Sequence, residues 1–263
     1  MPAIRSSDAQ LFYEVHGAGP DVVLLHPFPL NHSFWNAVDT LSTRYRVIVP
    51  DLRAHGDSEL GEGPATMEKM ALDLAMLCRE ERIAKGFFVG VSIGGYTLFE
   101  FWRRHRGQVA ALVLANTRAA AETPEGRKNR LALAEKVLRE GTAGFIEDML
   151  PKLFSPLTVG NRPDIVDAAR AMMRKMSPQD IAGVQRGMAD RPDSVATLKT
   201  IDVPTLIIAG GDDSVPVHEA ELMQQNISGS RLQVMPRAGH YAALEQPEEF
   251  GRLLRGFLDT QPR

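Results

Sequence analysis

The chain has 263 residues, enough to bury a large core in two domains or in one domain with an insertion. Apolar residues make up 44% and charged residues 24%, and the net charge of −3 is spread among interspersed acids and bases, which argues against nucleic acid and anionic membranes as partners. The single cysteine, Cys78, excludes an internal disulfide, and the sequence has neither a membrane-length apolar run nor a signal-peptide pattern, so we expect a cytoplasmic protein.

Short apolar runs predict strands throughout the chain. Residues 10–15 alternate between apolar and polar side chains, as in a half-buried strand, and the other runs are continuously apolar. These continuous runs cover residues 21–25, 47–49, 87–89, 109–114, 205–209 and 232–235. Amphipathic patterns between the runs predict helices at residues 67–82, 96–104, 219–225 and 248–258. Buried strands that alternate with helices indicate an α/β protein, with a mostly parallel sheet covered by helices on both faces.

The alternation of strands and helices stops between residues 118 and 194. No run in this stretch predicts a strand, helical periodicity dominates, and six prolines interrupt it. We interpret residues 118–194 as a helical cap that lies over the carboxyl edge of the sheet. The remaining residues, 1–117 and 195–263, then form the core domain. Met and Leu side chains of the cap are expected to line the pocket and to favour a modest apolar acyl group.

Ser92 is the strongest functional signal in the chain. Gly90 and Gly94 flank it two residues away on each side, an apolar run precedes it, and an amphipathic segment follows it. This pattern is typical of a nucleophile elbow, a strand-to-helix turn that presents the serine Oγ at the carboxyl edge of a sheet. The turn requires small neighbours because a Cβ there would crowd the strand or the helix. An ordinary Gly/Ser turn is the alternative on these residues alone.

A serine nucleophile needs an imidazole that accepts its proton and an acid that orients the imidazole, and in this chain order both follow the serine. Among the seven histidines, His240 is the candidate base, because it follows a glycine after the last predicted strand. The predicted strand at residues 205–209 leads to two candidate acids, Asp212 and Asp213. Adjacent side chains on such a turn point in different directions, so only one of the two can face His240.

The negative charge that develops on a carbonyl oxygen during attack is best stabilised by rigid backbone N–H groups. The amide of Ile93, directly after the serine, is one candidate donor. In the triplet at residues 27–29 both flanking prolines lack an N–H, so Phe28 is the only donor there. A rigid proline-rich turn without a catalytic role is the alternative for this triplet.

Four motifs together resemble the α/β-hydrolase superfamily over nearly the full length of the chain. Residues 26–29 (His-Pro-Phe-Pro) are similar to its oxyanion loop, and residues 51–58 (Asp-Leu-Arg-Ala-His-Gly-Asp-Ser) to its Asp-x-Arg-Gly-x-Gly-x-Ser turn. The Ser92 elbow and a Gly-His pair followed by Glu and Pro, within residues 239–247, complete the set in the family's order and spacing.

One branch of the superfamily is the most similar. The oxyanion loop, the small helical cap and residues 115–119 resemble carboxylesterases, 3-oxoadipate enol-lactonases and cofactor-free haloperoxidases (perhydrolases). The family places its acid three residues after a glycine and four before a proline. In this chain Gly210 selects Asp213, whereas Pro216 selects Asp212. We favour Asp213 because the glycine fixes where the strand ends.

The resemblance implies a serine hydrolase of small carboxylic esters or lactones. Ser92 would attack the carbonyl carbon, His240 would transfer the proton, and Asp213 would hold the imidazole. The amides of Phe28 and Ile93 would bind the oxyanion. The reaction would pass through an acyl-enzyme, with a small-molecule ester or lactone as the substrate and no metal ion or cofactor.

Several alternatives stay open at this point. An enol-lactonase acting on a dicarboxylate would need a cation in its pocket, for which Arg118 and Arg127 are candidates. Pro29 is shared with perhydrolase-active members of the branch. Some relatives carry the acid one strand earlier, where this chain has Asn116. A ligand receptor on the same fold is the non-enzymatic alternative, and a homo-oligomer is compatible with the sequence.

Overall fold

The computed structural model describes the backbone of residues 3–261, and within them the chain forms one eight-stranded sheet. Its strands are β1 (Ala3–Ser6), β2 (Ala9–His16), β3 (Asp21–Leu25), β4 (Arg46–Pro50), β5 (Gly86–Val91), β6 (Val109–Ala115), β7 (Thr205–Gly210) and β8 (Arg231–Met235). They lie in the order β1-β2-β4-β3-β5-β6-β7-β8. The two ladders that involve β2 are antiparallel, and all ladders from β4 to β8 are parallel. The predicted α/β architecture with a mostly parallel sheet is therefore confirmed.

Helices connect the strands, and two groups of helices pack on the sheet. In the described part of the chain they are α1 (Met67–Glu80), α2 (Ile93–His105), α3 (Pro124–Glu140), α4 (Ala143–Leu153), α5 (Pro156–Asn161), α6 (Pro163–Met173), α7 (Pro178–Ala189), α8 (Val195–Leu198), α9 (Val217–Asn226), α10 (Ala242–Glu245) and α11 (Pro247–Leu258). α1 packs against α2, whereas α10 and α11 pack against a 3-10 segment, His32–Thr43. None of the helices within residues 3–261 is long and apolar enough to cross a membrane.

Burial of both faces of the sheet explains why most strands appear in the sequence as continuous apolar runs. All residues of β5 and β7 are buried, since helices cover both sides of the central sheet. β8 lies at the edge of the sheet and is largely exposed, with Val234 at 43%.

The helices α3 to α7 occupy the stretch that we interpret as a cap, between β6 and β7. Four of its six prolines interrupt the helical pattern because they begin new helices, whereas Pro151 lies inside α4. Proline is well tolerated at the first helical position, where its missing N–H would have no partner in the helix. The prolines in this position are Pro124, Pro156, Pro163 and Pro178. The long helices α3 and α7 pack against each other.

The sequence patterns do not predict β1, the 3-10 segment or α10. Both β1 and α10 have only four residues, too few for a periodic signal. The 3-10 segment has a kink at Val38, and its tighter winding does not follow the 3.6-residue period.

The parallel strands place their carboxyl ends along one edge of the sheet, where open α/β sheets bind ligands. β3 leads into His26, β5 into Ser92, and β6 into Asn116. The loops after β7 and β8 carry Asp213 and His240 to the same edge. Residues far apart in sequence therefore meet above the centre of the sheet.

Candidate active site

Ser92 lies in the turn between β5 and α2. Its backbone has φ 55° and ψ −113°, in the left-handed region that residues with a Cβ rarely adopt. The flanking glycines allow this turn, because a Cβ on Gly90 would lie 2.5 Å from the carbonyl carbon of Gly94. A Cβ on Gly94 would lie 2.6 Å from the Leu25 oxygen. Close packing of β3, β5 and α2 thus holds the strained turn in place.

Three side chains form a continuous hydrogen-bond chain at this edge. The Ser92 Oγ lies 2.8 Å from His240 Nε2, and His240 Nδ1 lies 2.9 Å and 3.0 Å from the two carboxylate oxygens of Asp213. An ionised carboxylate can only accept hydrogen bonds, so Nδ1 carries the ring proton. Nε2 is then free to accept the proton of the serine hydroxyl. The arrangement has the order of a nucleophile, a base and an orienting acid.

Of the two candidate acids, Asp213 is the one that faces His240. Its side chain is 1% exposed, whereas Asp212 is exposed to solvent. Burial alone would raise the pKa of Asp213, but the neighbouring His240 and the N–H of Val215 hold the pKa below its ordinary value. The carboxylate is therefore ionised at neutral pH and able to orient the imidazole.

Asn116, at the end of β6, supports this acid. Its Nδ2 donates to Asp213 Oδ2 at 2.8 Å and to the Gly239 carbonyl at 3.2 Å. The first bond adds to the lowering of the Asp213 pKa, and the second ties the acid loop to the loop of His240. At the position where some relatives carry the acid, this chain has a residue that donates to the acid instead.

Glu245 connects the loop of His240 to the start of α5. Its Oε1 accepts from the Gly239 N–H at 2.8 Å, and its Oε2 accepts from the Ser155 N–H at 2.8 Å and the Thr158 hydroxyl at 2.7 Å. The two segments are so close that a Cβ on Gly239 would lie 2.5 Å from the Ser155 nitrogen. One buried carboxylate therefore fixes the base relative to the stretch interpreted as a cap.

The candidate oxyanion donors lie next to the serine. Ile93 is the first residue of α2, and the first amides of a helix have no acceptor within it. Phe28, on the loop after β3, lines the same cavity as Ser92. Its carbonyl oxygen accepts a hydrogen bond from the Tyr241 hydroxyl at 3.1 Å, which anchors the loop. Of the two residues that the sequence singles out as donors, Ile93 thus follows the serine directly and Phe28 lines the same cavity.

The side chain of His26 supports the loop that follows β3. The ring is fully buried, its Nδ1 lies 3.0 Å from the Pro27 carbonyl, and its Nε2 accepts from the Leu52 N–H at 3.0 Å. Burial lowers the pKa of His26 to about 3, so the ring is neutral and can make both bonds at neutral pH. The side chain positions the loop that carries Phe28.

A cavity of about 340 Å³ lies above the serine. Its wall combines apolar side chains with polar and cationic ones. The lining residues are Phe28, Ser92, Tyr96, Arg118, Asn129, Arg130, Leu133, Met149, Leu153, Gln185, Met188, Ser214, Val215 and His240. The Met and Leu side chains expected from residues 118–194 line the cavity, yet the same stretch also places two arginines there.

The structure separates the two arginines that the sequence suggests as pocket cations. Arg118 lines the cavity, whereas Arg127 is about half exposed and pairs with Asp190 at 2.8 Å outside it. Arg130, which sequence reasoning missed, is the second cavity arginine. Helical periodicity gives the spacing along α3 but does not say which face turns towards the serine, so no sequence signal marks Arg130.

The model of the alpha/beta hydrolase family matches residues 22–253. The chain belongs to the alpha/beta hydrolase family. It is 29% identical to 3-oxoadipate enol-lactonase 1 of Acinetobacter baylyi, over 92% of this chain and 89% of that protein. It is 28% identical to a non-heme haloperoxidase of Rhodococcus erythropolis, over 99% of this chain and all of that protein (100%).

Solved structures agree with these sequence relatives. A thermophilic esterase from Thermogutta terrifontis, solved with malate bound, is 38% identical and has a TM-score of 0.95, with 98% of both chains covered. The predicted α/β-hydrolase fold is therefore confirmed. The predicted resemblance to the branch of esterases, enol-lactonases and haloperoxidases is confirmed as well.

In this α/β-hydrolase, two acids of the turn at residues 51–58 and His32 of the 3-10 segment form a group that resembles a metal site. Ligand atoms of His32, Asp51 and Asp57 all lie within 4.8 Å of one another. However, Asp51 already accepts the N–H and Nδ1–H of His32, at 2.6 Å and 2.8 Å, and the N–H of Asp57 at 2.8 Å. A metal ion would have to displace these bonds, so we interpret the group as the hydrogen-bonded frame of the turn.

Proposed function

We propose that this α/β-hydrolase cleaves small carboxylic esters or lactones, with Ser92 as nucleophile, His240 as general base and Asp213 as orienting acid. The observation that carries the proposal is the hydrogen-bond chain of 2.8 Å and 2.9 Å through these three side chains. Its position beside a cavity gives a substrate access to the serine. The proposal also agrees with the names of two relatives, an enol-lactonase and an esterase, because both names denote enzymes of this reaction class.

In the acylation step the Ser92 Oγ attacks the carbonyl carbon while its proton passes to His240 Nε2. The carbonyl oxygen becomes an oxyanion, which accepts hydrogen bonds from the N–H groups of Phe28 and Ile93. The ionised Asp213 stabilises the imidazolium that forms. His240 then gives the proton to the leaving alkoxide, and an alcohol departs from the acyl-enzyme. In a lactone the alcohol stays attached to the acyl group.

In the deacylation step a water molecule attacks the acyl carbon. His240 accepts a proton from the water, and the same two amides bind the second oxyanion. The Ser92 oxygen leaves the acyl carbon and takes the proton back from His240. A carboxylic acid is released, and both side chains return to their starting protonation states.

A second candidate activity uses hydrogen peroxide in place of water. Attack of peroxide on the acyl-enzyme would release a peracid and restore the serine, as in a perhydrolase. Pro29 directly after Phe28 favours this candidate, as does the similarity to a non-heme haloperoxidase. Peracid formation from the acid and peroxide, measured beside ester hydrolysis, separates the two activities.

The proposal is tested with a chromogenic short-chain ester and a serine-directed phosphonate. The purified protein should release one equivalent of chromophore per active site before steady turnover, and the phosphonate should label Ser92. Ser92→Ala should abolish both, because loss of the nucleophile costs about 10⁶ in kcat in a well-studied serine protease.

Ser228→Ala is the matched control, since Ser228 is exposed and lies at the opposite end of the sheet, before β8. It should keep the turnover and the label. More than a few per cent of the activity in Ser92→Ala, at an unchanged melting temperature, would show that Ser92 is not the nucleophile. Ligand binding without any turnover would support the receptor alternative.

A further inference from the structure

Tyr241, directly after the candidate base, joins three parts of the candidate site. Its side chain is fully buried, and its backbone N–H donates to the carbonyl of Leu153 at 3.2 Å. Its hydroxyl donates to the carbonyl of Phe28 at 3.1 Å. One residue thus links the loop of His240 to the end of α4, which lines the cavity, and to the loop of the candidate oxyanion donor.

The hydroxyl of Tyr241 keeps its proton and therefore acts as a fixed donor. Burial raises the pKa of the phenol well above its ordinary value, and the charge of Asp213 raises this pKa further. A buried hydroxyl without an acceptor would leave its desolvation cost uncompensated, which favours retention of the bond to the Phe28 carbonyl. The proton transfers of the proposed mechanism do not use this buried donor.

The backbone of the candidate oxyanion loop is held at two successive carbonyl groups. The Pro27 carbonyl accepts from His26 Nδ1 at 3.0 Å, and the Phe28 carbonyl accepts from the Tyr241 hydroxyl. The candidate donor, the N–H of Phe28, lies between these two carbonyl groups along the backbone. Both hydrogen bonds therefore restrict the direction in which this N–H can point.

The ring of Tyr241 is fixed by aromatic neighbours from the core and from residues 118–194. Its centroid lies 5.2 Å from that of Phe154, at an interplanar angle of 83°, and 6.1 Å from that of Phe34, at 69°. Such edge-to-face contacts between aromatic rings are favourable and limit the orientation of the ring. Because Phe154 directly follows Leu153, the stretch interpreted as a cap supports the side chain that holds the oxyanion loop.

We propose that Tyr241 is a positioning residue, whose hydroxyl holds the N–H of Phe28 in the direction of the oxyanion. The inference rests on the proposed function, because the oxyanion forms only when Ser92 attacks an ester carbonyl. Removal of one donor from an oxyanion hole costs about 10²–10³ in kcat, since the donor binds the transition state more strongly than the ester. A donor that is displaced rather than removed should lose part of this factor in kcat, with little change in KM.

The experiment compares Tyr241→Phe with the wild type on two chromogenic esters, an acetate and a butanoate. The kcat should fall roughly 10-fold to 100-fold, by the same factor for both esters because both form the same oxyanion, while KM changes less than about 2-fold. The affinity for butylboronic acid, whose adduct with the serine imitates the tetrahedral intermediate, should fall together with kcat/KM. Tyr13→Phe is the matched control and should keep all three values, since its hydroxyl binds Glu81 outside the cavity.

Phe154→Leu is a second variant, which also applies if Tyr241→Phe fails to fold. It removes the aromatic support of Tyr241 and changes no residue that lines the cavity, so kcat should fall roughly 3-fold to 10-fold at unchanged KM. Unchanged kcat in either folded variant, or a loss that appears in KM or with only one ester, would overturn the inference while wild-type cleavage still supports the proposed function. No cleavage by the wild type, together with no phosphonate label on Ser92, would overturn the proposed function itself.

Discussion

Two neighbouring carboxylates follow β7, and of these Asp213 contacts His240. Asp213→Asn should lower kcat by about 10⁴, because an amide favours the wrong imidazole tautomer and gives the imidazolium no charge; a serine protease loses this much with the same exchange. Asp212→Asn is the matched variant and should leave kcat nearly unchanged, since Asp212 is exposed and keeps its backbone bond to the Ala238 carbonyl at 2.9 Å. Steady-state kinetics on one chromogenic ester compares the two.

The same pair of variants tests the spacing argument from the sequence. If Asp212→Asn is the inactive variant, the proline spacing from Pro216 was the better guide and the contact between Asp213 and His240 is not the functional one. If both variants keep their activity, the acid lies elsewhere in the chain. Equal melting temperatures for the two proteins are needed for either conclusion.

The sequence predicts some residues of the candidate site but not the roles of others. Ser92 and His240 could be singled out as candidates because each lies beside glycines at which a Cβ would collide with neighbouring backbone. The choice between two adjacent acids depends on side-chain direction within one turn, which spacing determines only by analogy. Asn116 and Arg130 could not be assigned roles, because their contacts join segments far apart in the sequence.

The element that carries the serine depends on its glycines. In Gly90→Ala the new Cβ would lie 2.5 Å from backbone atoms of Gly94, so the strand and the helix must move apart. We expect a loss of about 1–3 kcal/mol in the free energy of unfolding, as for other overpacked cores, and a large fall in kcat because Ser92 moves.

Gly144→Ala is the variant to contrast with Gly90→Ala. Gly144 lies in the first turn of α4, and a Cβ there would have no atom within 4 Å. This exchange should raise the free energy of unfolding by about 0.5–1 kcal/mol, because alanine costs less chain entropy in a helix than glycine. Urea unfolding and kcat of both variants check the pair. Full activity in Gly90→Ala would contradict the steric account of the elbow.

Strands and helices were predictable where burial gives a long and regular pattern. The strand at residues 21–25 is observed with the predicted bounds, and the helices α1, α2, α9 and α11 overlap their predictions. β1, α10 and the 3-10 segment were not predictable, because they are short or irregular and are stabilised by contacts with other elements. The 3-10 segment, for example, packs against α11, about two hundred residues further along the chain.

At the scale of the whole molecule, residues 118–194 should respond to a ligand at the serine more than the sheet does. Leu133, Met149 and Met188 come from three different helices of this stretch and line the cavity with Ser92. Reaction with a serine-directed phosphonate should therefore slow amide hydrogen exchange in α3, α4 and α7, with little change in β5 or β6. Ser92→Ala treated with the same reagent is the control. Unchanged exchange in these helices would contradict the interpretation of the stretch as a cap.

The response of the whole fold to acid is set in part by its histidines. Burial lowers the pKa of His26 to about 3 and also lowers that of His55. The unfolded chain binds these protons at a higher pH than the folded chain does, so stability is lost as the pH falls below about 6.5. His32 acts in the opposite direction: burial alone would lower its pKa, but Asp51 raises it, and its contribution grows as the pH falls.

His26→Asn isolates the effect of the His26 ring. Between pH 7 and pH 5 the neutral, buried ring of His26 should cost the wild-type fold about 2 kcal/mol, since only the unfolded state gains the proton in this range. The variant should therefore lose about 2 kcal/mol less than the wild type over the same interval, even if its stability at pH 7 is lower. Urea unfolding at both pH values measures the difference.

His218→Asn is the control, because His218 is exposed, and it should keep the wild-type dependence of stability on pH. A wild-type dependence in His26→Asn would mean that the ring takes up a proton in the folded state, and the loop that carries Phe28 would then be held by a charged rather than a neutral histidine.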